Sequence, residues 1–421
     1  MEMEAKLKQA HGNWVEGDRF FDREGELALF IQLVQEGANL LLLAQRRMGK
    51  TSLMHEVARR LGGQYVCLFV DLQKASSPPD AIAEISTVLQ PDRQLWEKAR
   101  DVFSNVLSRI PDVVETVDVG QLAVTLRSGI DLGNWAAKGD QLLDVLAKSD
   151  RPVLILLDEV PIMINRLLKG SGGAVTPEGR ETTDQFMSWL RSVSIRHQGQ
   201  VRMVISGSIG LEPILHQANL SSTLNTFRSF ELKPWDECVA IECLRALANE
   251  YSIQFVDEAE VQMVKLLGCC IPHHVQMFFA QVHDWCQRGS RTDVPVEEIQ
   301  GIYDQQMLGI RGHAELTHYE ERLELVLDKE AFPLALDMLT EAAVSGVLCQ
   351  DALLAFQKEY ATTEGSTLEI QRQILGVLEH DGYLTRGQHG YVFVSALLRD
   401  WWKRRYEELY VPISGRREGG R

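Results

Sequence analysis

The 421 residues exceed the ordinary size of one domain and suggest roughly two to four folded units. Apolar residues at 45% and charged residues at 24% exclude a disordered or collagen-like chain. With 59 Asp and Glu against 43 Lys and Arg, the formal charge of −16 argues against a broad surface for nucleic acid or an anionic membrane, while leaving room for a local basic patch.

Unbroken apolar runs such as Leu40 to Ala44 and Val153 to Leu157 are far short of the ~20 residues of a membrane helix. The opening MEMEAKLKQAHGNW carries no apolar core of a secretory signal, so a cytoplasmic protein is expected. Seven cysteines without a CxxC pair fit a reducing compartment. Cys269, Cys270, His273 and His274 are all zinc-ligand types, but adjacent Cys-Cys and His-His pairs point apart, so zinc is not expected there.

In chain order, Arg23 to Gly37 reads as an amphipathic helix, with Leu27, Phe30, Ile31 and Val34 at helical spacing. Asn39 to Ala44 is a short apolar strand, followed by a loop and a helix from about Lys50 to Leu61 that stops at Gly62-Gly63. Tyr65 to Leu72, rich in β-branched and aromatic residues, is a strand buried on both faces. Helices are expected at 80 to 90 and 95 to 109, then a hairpin or meander from Val113 to Ile130. Val153 to Leu157 and Val201 to Ile205 are further strands, separated by a helix at Thr182 to Arg196, and Phe230 to Leu232 is a short last strand. Strands alternating with helices imply βαβ units and a parallel sheet covered on both faces.

Beyond Pro234 the strands stop, and helices at about 236 to 249, 257 to 267, 273 to 287 and 296 to 308 form a small helical unit. Helices near 320 to 340, 350 to 360 and 367 to 380, followed by short strands Tyr383 to Thr385 and Tyr391 to Val394, read as a winged helix. The division is therefore an α/β core at 1 to 234, a helical lid at 235 to 310, a winged helix at 318 to 410 and a disordered basic tail at 411 to 421.

The loop AQRRMGKTSL, set against G-x-x-x-x-G-K-[ST], supplies Gly49, Lys50 and Thr51, with Ala44 in place of the first glycine. Such a loop wraps phosphates in backbone N–H groups at a helix N-terminus, with a lysine on the phosphates and a hydroxyl on Mg²⁺. VLILLDEV puts Asp158 and Glu159 directly after a buried strand, where one carboxylate suits the magnesium shell and the other an attacking water; the plainer alternative is a helix cap. Ser206 and Ser208 end the next strand, either as a sensor of the terminal phosphate or as a simple Ser-Gly turn. Arg228 is either an arginine finger for a neighbouring subunit or a surface arginine.

Together with FFDREGEL at 20 to 27, RRMGKTSL at 46 to 53, LLDEV at 156 to 160, SGS at 206 to 208, LEHDGYL at 378 to 384 and FVSALLRDWWKRRY at 393 to 406, the sequence resembles the archaeal-type ATPases of the STAND and AAA+ group. The resemblance implies a P-loop NTPase core with helical lid and winged helix. It implies Phe21 and Arg23 near the adenine, and Arg46, Arg47, Met48, Gly49, Lys50, Thr51 and Ser52 around the phosphates. It also implies Thr51 and Asp158 on Mg²⁺, Glu159 as catalytic base, and Pro272 of a Gly-Gly-x-Pro motif, here Cys269-Cys270-Ile271-Pro272, approaching the nucleotide. No arginine occurs between Pro272 and Cys286 to act as a lid-borne sensor.

The leading expectation is an ATP- and Mg²⁺-dependent ATPase working as a conformational switch, with a protein partner or a second copy of itself. The alternatives are an ATP-gated DNA-binding regulator and a scaffold that binds nucleotide without hydrolysing it. Charge disfavours DNA: His318 to Tyr410 holds 9 basic and 16 acidic residues, a net of −7.

Overall fold

The computed structural model describes residues 7–9, 14–104, 119–170, 173–360 and 367–416. The chain divides into two compact units, one of residues 23–43 and 50–232, the other of 1–22, 44–49 and 233–421.

The first unit is a parallel sheet between helical layers. Its strands are β1 (Asn39–Leu43), β2 (Val66–Asp71), β3 (Val153–Asp158), β4 (Val201–Ile205) and β5 (Phe227–Glu231), in the order β2-β3-β4-β1-β5. Every residue of β3 and β4 is buried, which is why these runs, apart from Arg202 and the terminal Asp158, are apolar and do not alternate. Leu41 and Leu157 both pair with Ile205, the last residue of β4, and β1 and β3 run on past it by two residues and one residue.

Helices α1 (Glu24–Gln35), α2 (Lys50–Leu61), α3 (Pro78–Thr87), α4 (Arg93–Val102), α5 (Val119–Arg127), α6 (Trp135–Ala147), α7 (Val160–Lys169), α8 (Pro177–Arg196) and α9 (Leu211–Gln217) complete this unit. The start of α8 is written in Thr176-Pro177: the Thr176 hydroxyl accepts from Gly179 N–H at 3.0 Å, and proline tolerates the first helical position.

Two expectations change here. The hairpin expected over Val113 to Ile130 is helix α5 from residue 119, and residues 113–118 lie outside the described residues. Its apolar positions satisfy both periods, and buried Leu122 and Leu126, four apart, show that the helical one applies. The last strand begins three residues earlier than expected and contains Arg228, which is exposed.

The second unit is mainly helical: α10 (Glu237–Glu250), α11 (Ala259–Leu267), α12 (Pro272–Gly289), α13 (Val296–Ile302), α14 (Ile310–Val326), α15 (Ala331–Ser345), α16 (Gln350–Glu359), α17 (Thr367–His380) and α18 (Ala396–Tyr406). Strands do not stop at Pro234, because β6 (Gln254–Phe255) and β7 (Asp293–Val294) form a two-residue parallel ladder. β8 (Leu384–Arg386) and β9 (Tyr391–Phe393) make an antiparallel hairpin, and Tyr391 also bridges to Leu348. Trp402 of α18 is fully buried and donates from its indole to the Thr340 hydroxyl at 3.2 Å, fastening α18 to α15.

Residues 411–416 are not the disordered tail expected from their composition. Buried Glu341 accepts from Tyr410 Oη at 2.7 Å and Ile413 N–H at 2.9 Å, and Arg416 pairs with Asp337 at 3.1 Å and Glu359 at 2.9 Å. Three carboxylates on α15 and α16 thus hold this segment as a strap, a long-range pairing that no local pattern announces.

Candidate functional site

In a parallel sheet, ligands collect outside the carboxyl ends of the strands where the winding order changes direction. β1 lies between β4 and β5, and the segments leaving β1, β3 and β4 carry the motif residues.

Lys50 is the first residue of α2 and is 8% exposed; Thr51 follows it. The Thr51 hydroxyl donates to Asp158 Oδ2 at 2.9 Å across 107 residues of sequence. Asp158 is buried at the end of β3, and its pKa is raised, first by burial and then by the neighbouring Glu159, despite the hydrogen bond from Thr51 and the charge of Lys50. Lys50 thus only partly offsets burial and the second carboxylate, and a divalent cation beside a threonine hydroxyl would supply further positive charge. Threonine oxygen plus carboxylate is a hard, oxygen-only donor pair, as Mg²⁺ prefers.

Glu159 adopts a left-handed backbone with φ 58°, which costs a non-glycine residue about 1 kcal/mol. Its side chain makes no capping bond to α7, so the plain helix-cap reading fails. Instead its Oε2 accepts from Ser208 N–H at 3.0 Å and Ser208 Oγ at 2.9 Å. Ser208 is therefore the partner of Glu159. Ser206 is buried, and its hydroxyl has no partner among the described residues. Gly207 between them is required by contact, since a Cβ there would stand 2.4 Å from Pro161 Cδ. Arg228 is exposed on β5 opposite Leu40, and its side chain makes no hydrogen bond or ion pair among the described residues. Arg23 initiates α1 with φ 73°, pairs with Glu26 at 2.7 Å, and leaves a buried Nη2 without a partner.

Ser52 follows Thr51 in α2, and the remaining motif residues lie in the other unit. In the loop 44–49, Met48 is buried, Gly49 has φ 87° and Arg47 has φ 66°. Gly49 is thus needed for its backbone. Arg47 pairs with Glu315 of α14 at 3.1 Å, and its carbonyl accepts from His273 N–H at 3.4 Å. His273 also meets Glu315 at 3.4 Å; this bond first, with the charges of His273 and Arg47 and against the opposing effect of burial, lowers the Glu315 pKa to about 2. Pro272 opens α12 immediately before His273. Phe21 packs edge-on against Trp235 at 5.8 Å.

Cys269 and Cys270 have pKa values pushed up by burial to about 11 and about 12, so both remain thiols at neutral pH. Among the described residues no group of three or more His, Cys, Asp or Glu is arranged to hold a metal ion.

Sequence reasoning missed Glu315, His273 and Tyr319 as neighbours of the loop. Their only signal was the Cys-Cys-Ile-Pro-His-His run, which marks the place of His273 but not its partner.

Strand order β2-β3-β4-β1-β5, with the Gly49-Lys50-Thr51 turn leaving the inner strand β1, defines an α/β P-loop NTPase fold. Consistent with this, the chain is similar in fold to a Walker-type ATPase of Pyrococcus abyssi, at 15% identity over 95% of this chain and 100% of that one, with a TM-score of 0.60. It is also similar to the ORC2 protein of Aeropyrum pernix, solved as ADPNP–ADP complexes, at 12% identity over 94% and 96% of the two chains, with a TM-score of 0.53. No family model and no curated protein matches the sequence. No described helix is long and apolar enough to cross a membrane.

Proposed function

We propose that this chain binds ATP with Mg²⁺ and hydrolyses it slowly, serving as a nucleotide-controlled conformational switch of the STAND and AAA+ type. The observation that carries the reading is the 2.9 Å bond from Thr51 to buried Asp158, with Lys50 beside it. A magnesium ion bound here supplies charge to the phosphates and to Asp158. Lys50 and the N–H groups at the start of α2 bind phosphate oxygens, Thr51 and Asp158 hold the metal with its waters, and Glu159 takes the proton of an attacking water. Ser208 holds the Glu159 carboxylate through Oε2 and so orients it toward this role.

Exposed Arg228 suits a finger offered to a second copy of the chain, and Phe21, Arg23, Arg46, Met48, Ser52 and Pro272 are the remaining proposed nucleotide contacts. A cytoplasmic location and the division into core, lid and winged helix belong to the same reading. In the test, Lys50→Ala loses Mg-ATP binding and Glu159→Gln keeps binding but slows single-turnover hydrolysis. Unchanged binding by Lys50→Ala ends the proposal, and equal rates for Glu159→Gln leave a scaffold that does not hydrolyse. Size measurement with and without an ATP analogue, in wild type and Arg228→Ala, tests assembly.

DNA binding is the weaker reading. The basic patch on α18 is engaged internally: Arg405 pairs with Glu320 at 3.0 Å, Arg404 donates to the Asp304 carbonyl at 2.8 Å, and Arg399 pairs with Asp400 at 2.8 Å. A salt-dependent gel shift with duplex DNA, abolished by Lys403→Glu with Arg404→Glu, would restore it.

A further inference from the structure

The two arginines of the loop 44–49 have unequal surroundings. Arg47 is satisfied by Glu315, which His273 also engages. Arg46 is half-buried, with its guanidinium 6.0 Å from the centre of the Tyr319 ring, and its Nε and Nη1 are buried without a hydrogen-bond partner. Glu315, Tyr319 and Arg322 are spaced i, i+4 and i+7 on α14 and therefore share one face of that helix. The side chain of Arg322 makes no hydrogen bond or ion pair among the described residues. Burial first, then the charges of Arg322 and Arg47, lower the pKa of Arg46. Tyrosines 319 and 383, the other groups that face it, are held protonated by burial.

Arg47 thus has the Glu315 carboxylate, which His273 also engages, whereas the side chains of Arg46 and Arg322 have no carboxylate partner among the described residues. A guanidinium does not shed its charge near neutral pH, so an unpaired, partly buried one calls for an anion that is not part of the chain.

We infer that Arg46 and Arg322 form an anion site, and that its ligand is a phosphate group. Phosphate fits better than carboxylate because two cations from separate elements need oxygens in diverging directions, which a tetrahedral group offers. Arg46 also stands in the loop that runs directly into Gly49 and Lys50. The phosphate belongs either to a nucleotide, in which case this site extends the proposed function, or to a free phosphate ion.

The test follows melting of the full chain as potassium phosphate replaces potassium chloride at constant ionic strength, and separately measures ADP affinity. Wild type gains stability with phosphate. Arg46→Gln and Arg322→Gln each raise the ligand-free melting temperature, because a like-charge contact is removed, and weaken phosphate binding about tenfold or more. A residue with only a packing role would lower the ligand-free temperature instead. Arg46→Lys and Arg322→Lys, which keep the charge, retain part of the response and serve where a glutamine variant fails to fold. A matching tenfold loss of ADP affinity in Arg322→Gln assigns the phosphate to the nucleotide; unchanged ADP affinity with a lost phosphate response assigns it to free phosphate. Glutamine variants that respond to both ligands as wild type does overturn the inference, as does a wild type that responds to neither. Failure of the nucleotide reading shows separately, as undiminished ADP binding by Lys50→Ala.

Discussion

His274 makes the fold acid-sensitive in a way that can be calculated. It is 1% exposed on α12, its Nδ1 has no partner, and its Nε2 meets only the Tyr319 hydroxyl at 3.5 Å. Burial, with smaller contributions from His273 and Arg47 against Glu315, pulls its pKa from 6.5 down to about 3. The folded pKa is depressed, so between these values the unfolded chain binds a proton that the folded chain refuses. Stability contributed by neutral His274 is therefore fully present above pH 6.5 and is lost as pH falls toward 3. From pH 7 to pH 5 the linkage integral for this one group is about 2 kcal/mol. His274→Gln removes the titration and keeps a polar partner for Tyr319. Urea unfolding of both proteins at several pH values is the assay. The variant, although less stable than wild type at pH 7, loses about 2 kcal/mol less between pH 7 and pH 5. Parallel curves over that interval would refute the reasoning, since other groups, including His273, titrate equally in both proteins.

Asp158→Asn removes a buried carboxylate whose pKa is raised, and a raised acid destabilises the folded state at neutral pH, so ligand-free melting temperature rises while Mg²⁺ ceases to affect it. Gly207→Ala forces a Cβ to within 2.4 Å of Pro161 and costs about 1 to 3 kcal/mol, read by chemical denaturation. Glu341→Ala strands the donors of Tyr410, Ile413 and Ser345 and costs about 3 kcal/mol, with early proteolysis near residue 410; Glu341→Gln retains an acceptor and loses less.

What was legible in the sequence lies where function is written locally. Lys50, Thr51, Asp158, Glu159 and Ser208 each follow a strand or open a helix, and strands that are apolar throughout announce a parallel sheet, so their meeting at one sheet edge follows from topology. Contacts between distant segments left no such mark: Glu315 reaches Arg47 across 268 residues and Glu341 holds Ile413 across 72. The pairing of Glu159 with Ser208 was also hidden, because two adjacent polar motifs do not say which atoms exchange hydrogen bonds. Over residues 119 to 127 the failure was one of period, since a nine-residue apolar pattern admits both alternation and a helical stripe.

The inner position of β1 has a consequence for how the chain reaches its folded state. Leu40 to Leu42 are buried, yet Leu40 pairs with Val204 and Arg228, which are 164 and 188 residues away. At ribosomal speeds of ~5 to 20 residues per second, this greasy segment waits ~10 to 40 s before both neighbouring strands have been made. Closing such long loops is also slow in isolation. Refolding from denaturant should therefore compete poorly with clumping, at concentrations where the folded protein stays in solution.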